Sequence, residues 1–224
     1  MGCAYSLVLS IYREKSYYET VNILETKKIF FSFTTTLTYL YYTPVIKMLY
    51  ASFVRPEGVY NSWFNKLAAF ATRGPFCHSE FIFRWSDDQL KEVLSRVKGL
   101  GSLRNRSGPI DVAVYIIWGD IVRYRVLTGY SDFWSVPERD MIPINISWES
   151  ELNTITWLAN QLGAPYDKAG ALLSPIPLRH KSLAYETYFC SQLMACALQR
   201  LNMIQQYNPA ALTPNSLYRV LQSA

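Results

Sequence analysis

At 224 residues, half of them apolar and only 17% charged, the chain can bury a substantial core, which excludes wholesale disorder. The formal net charge of +5 is spread without any run of Lys or Arg, so no basic cluster marks a nucleic-acid interface, and the balance leans mildly toward anionic surfaces. Four cysteines with no CxxC spacing give neither a zinc-finger pattern nor the disulfide framework of a small secreted domain, and a reducing, intracellular setting is expected.

In chain order, Met1 to Ser6 match the myristoylation pattern, with Gly2 as acceptor and Cys3 beside it as a site for a second, palmitoyl chain. Arg13, Glu14 and Lys15 interrupt the first apolar stretch too early for a secretory signal. Residues 29–46 are uncharged, barely long enough to span a bilayer, but their threonines, Pro44 and aromatics fit strands or a packing element better than a lipid-facing helix. Residues 1–46 are therefore read as an N-terminal extension that packs or associates with a membrane, and the organised domain as residues 47–224.

That domain opens with a strand over Leu49–Val54 and a turn at Arg55–Gly58. Apolar spacing predicts a helix over 60–72, and Gly74-Pro75 breaks the chain before an apolar run from Phe76 to Trp85. Ser86 to Gln89 form a capping box that starts a helix to about Lys98. An exposed loop follows over Gly101–Pro109. Two β-rich runs, Asp111–Trp118 and Ile121–Leu127, are split by Gly119-Asp120, and Met141–Ile146 reads as a further strand. Ser147 caps a helix to about Leu162, with Glu149 and Glu151 in its first turn. Prolines make Gly163–Tyr185 loop-rich. A helix from Cys190 to about Met203 and a last one behind Thr213-Pro214 complete the chain.

The chemistry converges on Tyr188-Phe189-Cys190-Ser191-Gln192-Leu193. A thiol at a helix N-terminus meets unpaired N–H groups and the positive end of the helix dipole, both of which favour thiolate. A nucleophilic thiolate needs a base. His180 lies beside Arg179 and Lys181 in a proline-interrupted loop and reads as a surface residue. His78, in Cys77-His78-Ser79-Glu80-Phe81-Ile82, is better placed: strand alternation puts His78, Glu80 and Ile82 on one face and Cys77, Ser79 and Phe81 on the other. A carboxylate two residues along can then hold one ring nitrogen while the other faces the thiol. Cys77 is expected to point away, and Cys190 and Cys196 lie about 240° apart on a helix, so no metal site and no cofactor is expected.

These motifs together resemble the circularly permuted papain-like superfamily, the NlpC-type thiol hydrolases and their lecithin:retinol acyltransferase relatives, and within it the permuted branch of bacteria and poxviruses. There a His-x-Glu strand precedes a Phe/Tyr-Cys-Ser-Glu/Gln-Leu helix start. The chain carries His78-Ser79-Glu80 and Phe189-Cys190-Ser191-Gln192-Leu193 in that order, supported by Leu162-Gly163-Ala164-Pro165-Tyr166-Asp167 and Thr213-Pro214-Asn215-Ser216-Leu217-Tyr218. It departs at Gln192, where an acidic residue is common. The resemblance covers residues 47–224 and implies an α+β, permuted papain-like fold with a central antiparallel sheet against the nucleophile helix. It also implies Cys190 as nucleophile, His78 as base and Glu80 as orienting residue.

The expected function is a cysteine-dependent hydrolase or acyltransferase acting on an amide bond of a peptide or an acyl ester of a lipid, with Tyr166 lining the cleft. The competing expectation is a non-catalytic binding protein on the same fold at a membrane surface. Nucleic acid is not an expected partner.

Overall fold

The computed structural model describes residues 49–127, 139–175 and 186–223; Gly2, Cys3, the uncharged stretch 29–46 and His180 lie outside the described residues. Within them the chain is mixed α+β. Five strands, β1 (Leu49–Val54), β2 (His78–Trp85), β3 (Ile110–Tyr115), β4 (Arg123–Leu127) and β5 (Arg139–Ile144), form one antiparallel sheet in the order β4-β3-β2-β1-β5. Six helices accompany it: α1 (Trp63–Ala71), α2 (Asp87–Arg96), α3 (Trp148–Asn160), α4 (Lys168–Leu173), α5 (Cys190–Arg200) and α6 (Pro214–Gln222).

Alternation sorts the sheet into two unlike faces. Leu49, Ala51, Phe53, Phe81, Phe83, Trp85, Val112 and Val114 point to the helical side and join one core with α2, α3, α5 and α6. The opposite face carries His78, Glu80 and Ile82, registered against Val54, Ser52 and Tyr50 of β1. The face assignment of these β2 residues follows directly from the period of two. β5 begins at Arg139 rather than Met141, because all six of its residues pair with the six of β1, and Pro143 is tolerated there because β5 is an edge strand.

α5 is buried along Cys190–Leu198, on all sides, and packs on β2, α3, α6 and the turn at Pro209–Ala211. Its start is pinned from elsewhere: the Ser191 hydroxyl donates to the Leu212 carbonyl at 2.6 Å. α6 is tied to the segment just before β2 through Asn215, whose Oδ1 accepts the Phe76 N–H at 2.9 Å and whose Nδ2 donates to the Phe76 carbonyl at 2.8 Å. Gly74 is needed beside it, since a Cβ there would lie 2.3 Å from Asn215 Oδ1.

Three details refine the expected elements. α1 starts at Trp63, not residue 60, because Ser62 caps it by accepting the Asn65 N–H while Gly58–Tyr60 forms a 3-10 turn. The loop-rich stretch contains α4, capped by Asp167, which accepts the Gly170 N–H at 2.7 Å. The exposed loop at Gly101–Pro109 opens with a 3-10 turn whose Leu103 is buried.

The two acidic residues of the first turn of α3 have different fates. Glu149 reaches Arg96 at 3.2 Å, whereas Glu151 is buried and accepts the Trp85 indole N–H at 2.9 Å. Burial pushes the Glu151 carboxyl up to about 7, and the indole hydrogen bond offsets only part of that rise. A carboxyl whose folded pKa is raised contributes stability below its unfolded pKa and loses it as pH rises through the folded value. Relative to Glu151→Gln, the wild type should therefore lose about 3 kcal/mol of unfolding free energy between about pH 4 and about pH 8, as read by urea denaturation.

Candidate active site

The thiol of Cys190 opens α5. Its predecessor Phe189 adopts the extended N-cap conformation but offers no side-chain acceptor, so the first-turn N–H groups are not consumed by a cap and face the sulfur's end of the helix. Gln192, in the first turn, reaches back to the helix start, where its Oε1 accepts the Phe189 N–H at 3.3 Å. Cys190 is 7% exposed. Burial alone would raise its pKa, but a hydrogen bond with His78, the charge of that imidazole and the N–H groups of Ser79 and Ser191 outweigh burial and lower it.

His78 is the first residue of β2, at the end of the central strand that meets the start of α5. Burial disfavours its cationic form, yet the hydrogen bond to Cys190, the contact with Glu80 and the Cys190 charge push it up to about 10. His78 Nε2 lies 3.7 Å from Glu80 Oε2, an ionic contact longer than a hydrogen bond. That leaves the other ring nitrogen for the thiol. The Tyr60 ring stacks on the imidazole at 5.9 Å with 16° between planes.

Glu80 is fully buried on the face of the strand opposite Phe81 and Phe83 and would be costly as a lone charge. Burial raises its pKa, but His78, Arg139 and Arg125 together bring it down to about 2. The two arginines come from opposite sides of β2. Arg139 on β5 contacts one carboxylate oxygen through Nη1, and Arg125 Nη2 on β4 lies 3.3 Å from both oxygens. Arg125 Nη2 also reaches the Tyr60 hydroxyl at 3.4 Å, joining the ring over His78 to the same network. The result is a row of alternating charge, sulfur to imidazole to carboxylate to guanidinium.

A cavity of about 620 Å³ opens over Cys190 and His78. Phe64, Ala68, Trp118 and Leu172 are among its walls, so it is chiefly apolar. Tyr166 lines it too, held by its N–H to the Asp120 carbonyl at 2.9 Å, with burial and the nearby Cys190 raising its hydroxyl pKa. Cys77 was expected to face away from the site. It also lines this cavity, because it precedes β2 and escapes the strand's alternation. Its thiol is pushed up to about 12 by burial and the Cys190 charge, and that of Cys196 likewise by burial. Of the three described cysteines only Cys190 is shifted toward thiolate. Among the described residues no group of His, Cys, Asp and Glu is arranged to hold a metal ion, and no helix is long and apolar enough to cross a membrane.

Sequence reasoning found Cys190, His78, Glu80 and Tyr166, which the fold brings to one place. It missed Arg125, Arg139 and Tyr60. The only available signal was that a carboxylate inside an apolar strand demands cations, and nothing in a single sequence says which of the 22 Lys and Arg residues supply them. No protein-family model, curated protein or solved structure matches the chain.

Replacing Glu80 by Gln would leave two buried or half-buried guanidinium groups facing a neutral amide. The expected cost is about 3–5 kcal/mol of unfolding free energy, and Glu80→Gln/Arg139→Met should recover part of it. Equal stability of all three proteins in denaturant titration would show that the carboxylate carries no structural charge.

Proposed function

We propose that the protein is a cysteine-dependent acyl-transfer enzyme, a hydrolase or acyltransferase of amide or acyl-ester bonds, with a permuted papain-like fold. The observation that carries this reading is the meeting of the Cys190 thiol, at the start of α5, with the His78 imidazole, at the start of β2, in the lining of one open cavity; the thiol lowered and the imidazole raised accord with it. A buried structural cysteine behaves otherwise, as Cys196 does. The order of the motifs and an antiparallel sheet lying against the Cys190 helix agree with the resemblance in the sequence.

In the cycle, the Cys190 thiolate attacks the carbonyl carbon and a C–S bond forms while the carbonyl π pair becomes an oxyanion. First-turn N–H groups of α5 stabilise that oxyanion, each such donor being worth about 3–4 kcal/mol. As the tetrahedral centre collapses, the C–N or C–O bond breaks and His78 gives its proton to the leaving group. Neutral His78 then takes a proton from water or an acceptor hydroxyl, which attacks the thioester and expels the Cys190 thiolate. Glu80 keeps the imidazole oriented and favours its cation, itself held ionised by Arg139 and Arg125.

The pH dependence follows from the two shifts. The active pair exists above the lowered Cys190 pKa, and acylation falls as His78 loses its proton near pH 10. A p-nitrophenyl acyl ester tests the chemistry directly. Release of nitrophenolate with gain of one acyl group on Cys190 in the intact mass supports it. His78→Ala should slow acylation by about 10²–10⁴-fold. No adduct on Cys190, or the same rate from Cys190→Ala, would leave a binding protein as the better reading.

A further inference from the structure

α1 is apolar on two sides. Phe64, Ala68 and Ala71, spaced as one helical stripe, line the cavity. Trp63, Leu67 and Phe70 form a second stripe, exposed at 75%, 51% and 81%; Trp63 and Phe70 turn to solvent, while Leu67 stands at the cavity's edge and is also part of its lining. A surface helix normally turns a polar face outward, and single exposed hydrophobes need no explanation. Three in register on one short helix, two of them aromatic, do. Across the cavity mouth Leu172 of α4 and Trp118 are also exposed, at 63% and 39%.

The outer patch and the inner walls are one surface. Ring centroids step from Trp63 to Phe64 at 6.1 Å, from Phe64 to Trp118 at 4.8 Å and from Trp118 to Tyr166 at 5.4 Å, so an unbroken aromatic line runs from the outside of α1 over the mouth to the wall beside Cys190. Exposed cations stand at its margin: Lys66 on α1, Arg73 just beyond it and Lys168 at the start of α4. Indole rings at an apolar boundary with lysine and arginine beside them match the interface of an anionic phospholipid bilayer, where a short helix lies in the plane with its apolar face below the headgroups.

We propose that the outward face of α1, with Trp118 and Leu172, seats the protein on an anionic phospholipid bilayer, so that the cavity mouth opens into lipid. The seat stands on exposed surface alone. Its consequence, that the acyl group reaching Cys190 comes from an amphiphile in that bilayer, rests on the acyl-transfer reading of the site.

The test uses the full chain, made without lipid modification, and sedimentation with vesicles of phosphatidylcholine alone or mixed with phosphatidylserine. Wild type should pellet with the mixed vesicles more strongly than with phosphatidylcholine alone. Trp63→Ser/Leu67→Ser/Phe70→Ser should weaken binding by at least about 100-fold. Because all three side chains are exposed, the variant should keep the wild-type circular dichroism, and Trp63→Ser/Phe70→Ser, which leaves the cavity lining intact, should also keep the wild-type Cys190 labelling. Cys190→Ala should bind as wild type does, which separates loss of the seat from loss of the chemistry. Failure of wild type to bind, or equal binding by the triple variant, overturns the proposal. So does a wild-type dimer that ignores vesicles and that the three substitutions dissolve, since the face would then join two copies of the chain.

Discussion

The charge on His78 is the constraint from which the rest of the site follows. A buried imidazolium is stable only with anions beside it, and here it has two, the Cys190 sulfur and the Glu80 carboxylate. Each anion would itself be costly to bury, and each is met in turn: the sulfur by backbone N–H groups of Ser79 and Ser191, the carboxylate by Arg139 and Arg125. No member can be removed without leaving its neighbours uncompensated in a medium of low dielectric. The sheet order answers this requirement. Placing β2 in the middle lets a residue of β4 and a residue of β5, each two strands away, reach the same carboxylate from opposite sides.

The two sides of β2 have separate duties. Phe81, Phe83 and Trp85 bury against the helices and fix the strand, while Glu80 faces away from them. His78 shares the face of Glu80 but is the strand's first residue, so it lies at the strand end where α5 begins. Holding that junction still is the work of bonds between distant parts of the chain. Ser191 is tied to Leu212, and Asn215 brackets the backbone of Phe76, two residues before the imidazole. The thiol and the imidazole are thus each braced by the segment from Leu212 to α6.

Much of this was legible in the sequence, and the limits are physical. Strands and helices could be read where periodicity was long or caps were explicit, as at Ser86, Ser147 and Thr213. His78-x-Glu80 was readable because two ionisable residues in an apolar strand are expensive without a purpose. α4 was obscured, six residues among prolines being too short for a period to emerge. Cys77 was misplaced because alternation was extended one residue beyond the strand that obeys it. Arg125, Arg139 and Tyr60 were invisible since their partnership with Glu80 and His78 exists only after all five strands have paired. The exposed stripe of α1 was overlooked for another reason: Trp63 and Leu67 fit a helical core pattern equally well, and only the fold reveals which side is outside.

The most direct measurement of the ion pair is the ultraviolet thiolate absorbance of Cys190 followed against pH, as wild type minus Cys190→Ser. A thiolate midpoint below the ordinary thiol value of 9.0 that moves upward in His78→Ala is the predicted result. A midpoint at or above that ordinary value, unmoved by His78→Ala, would contradict it.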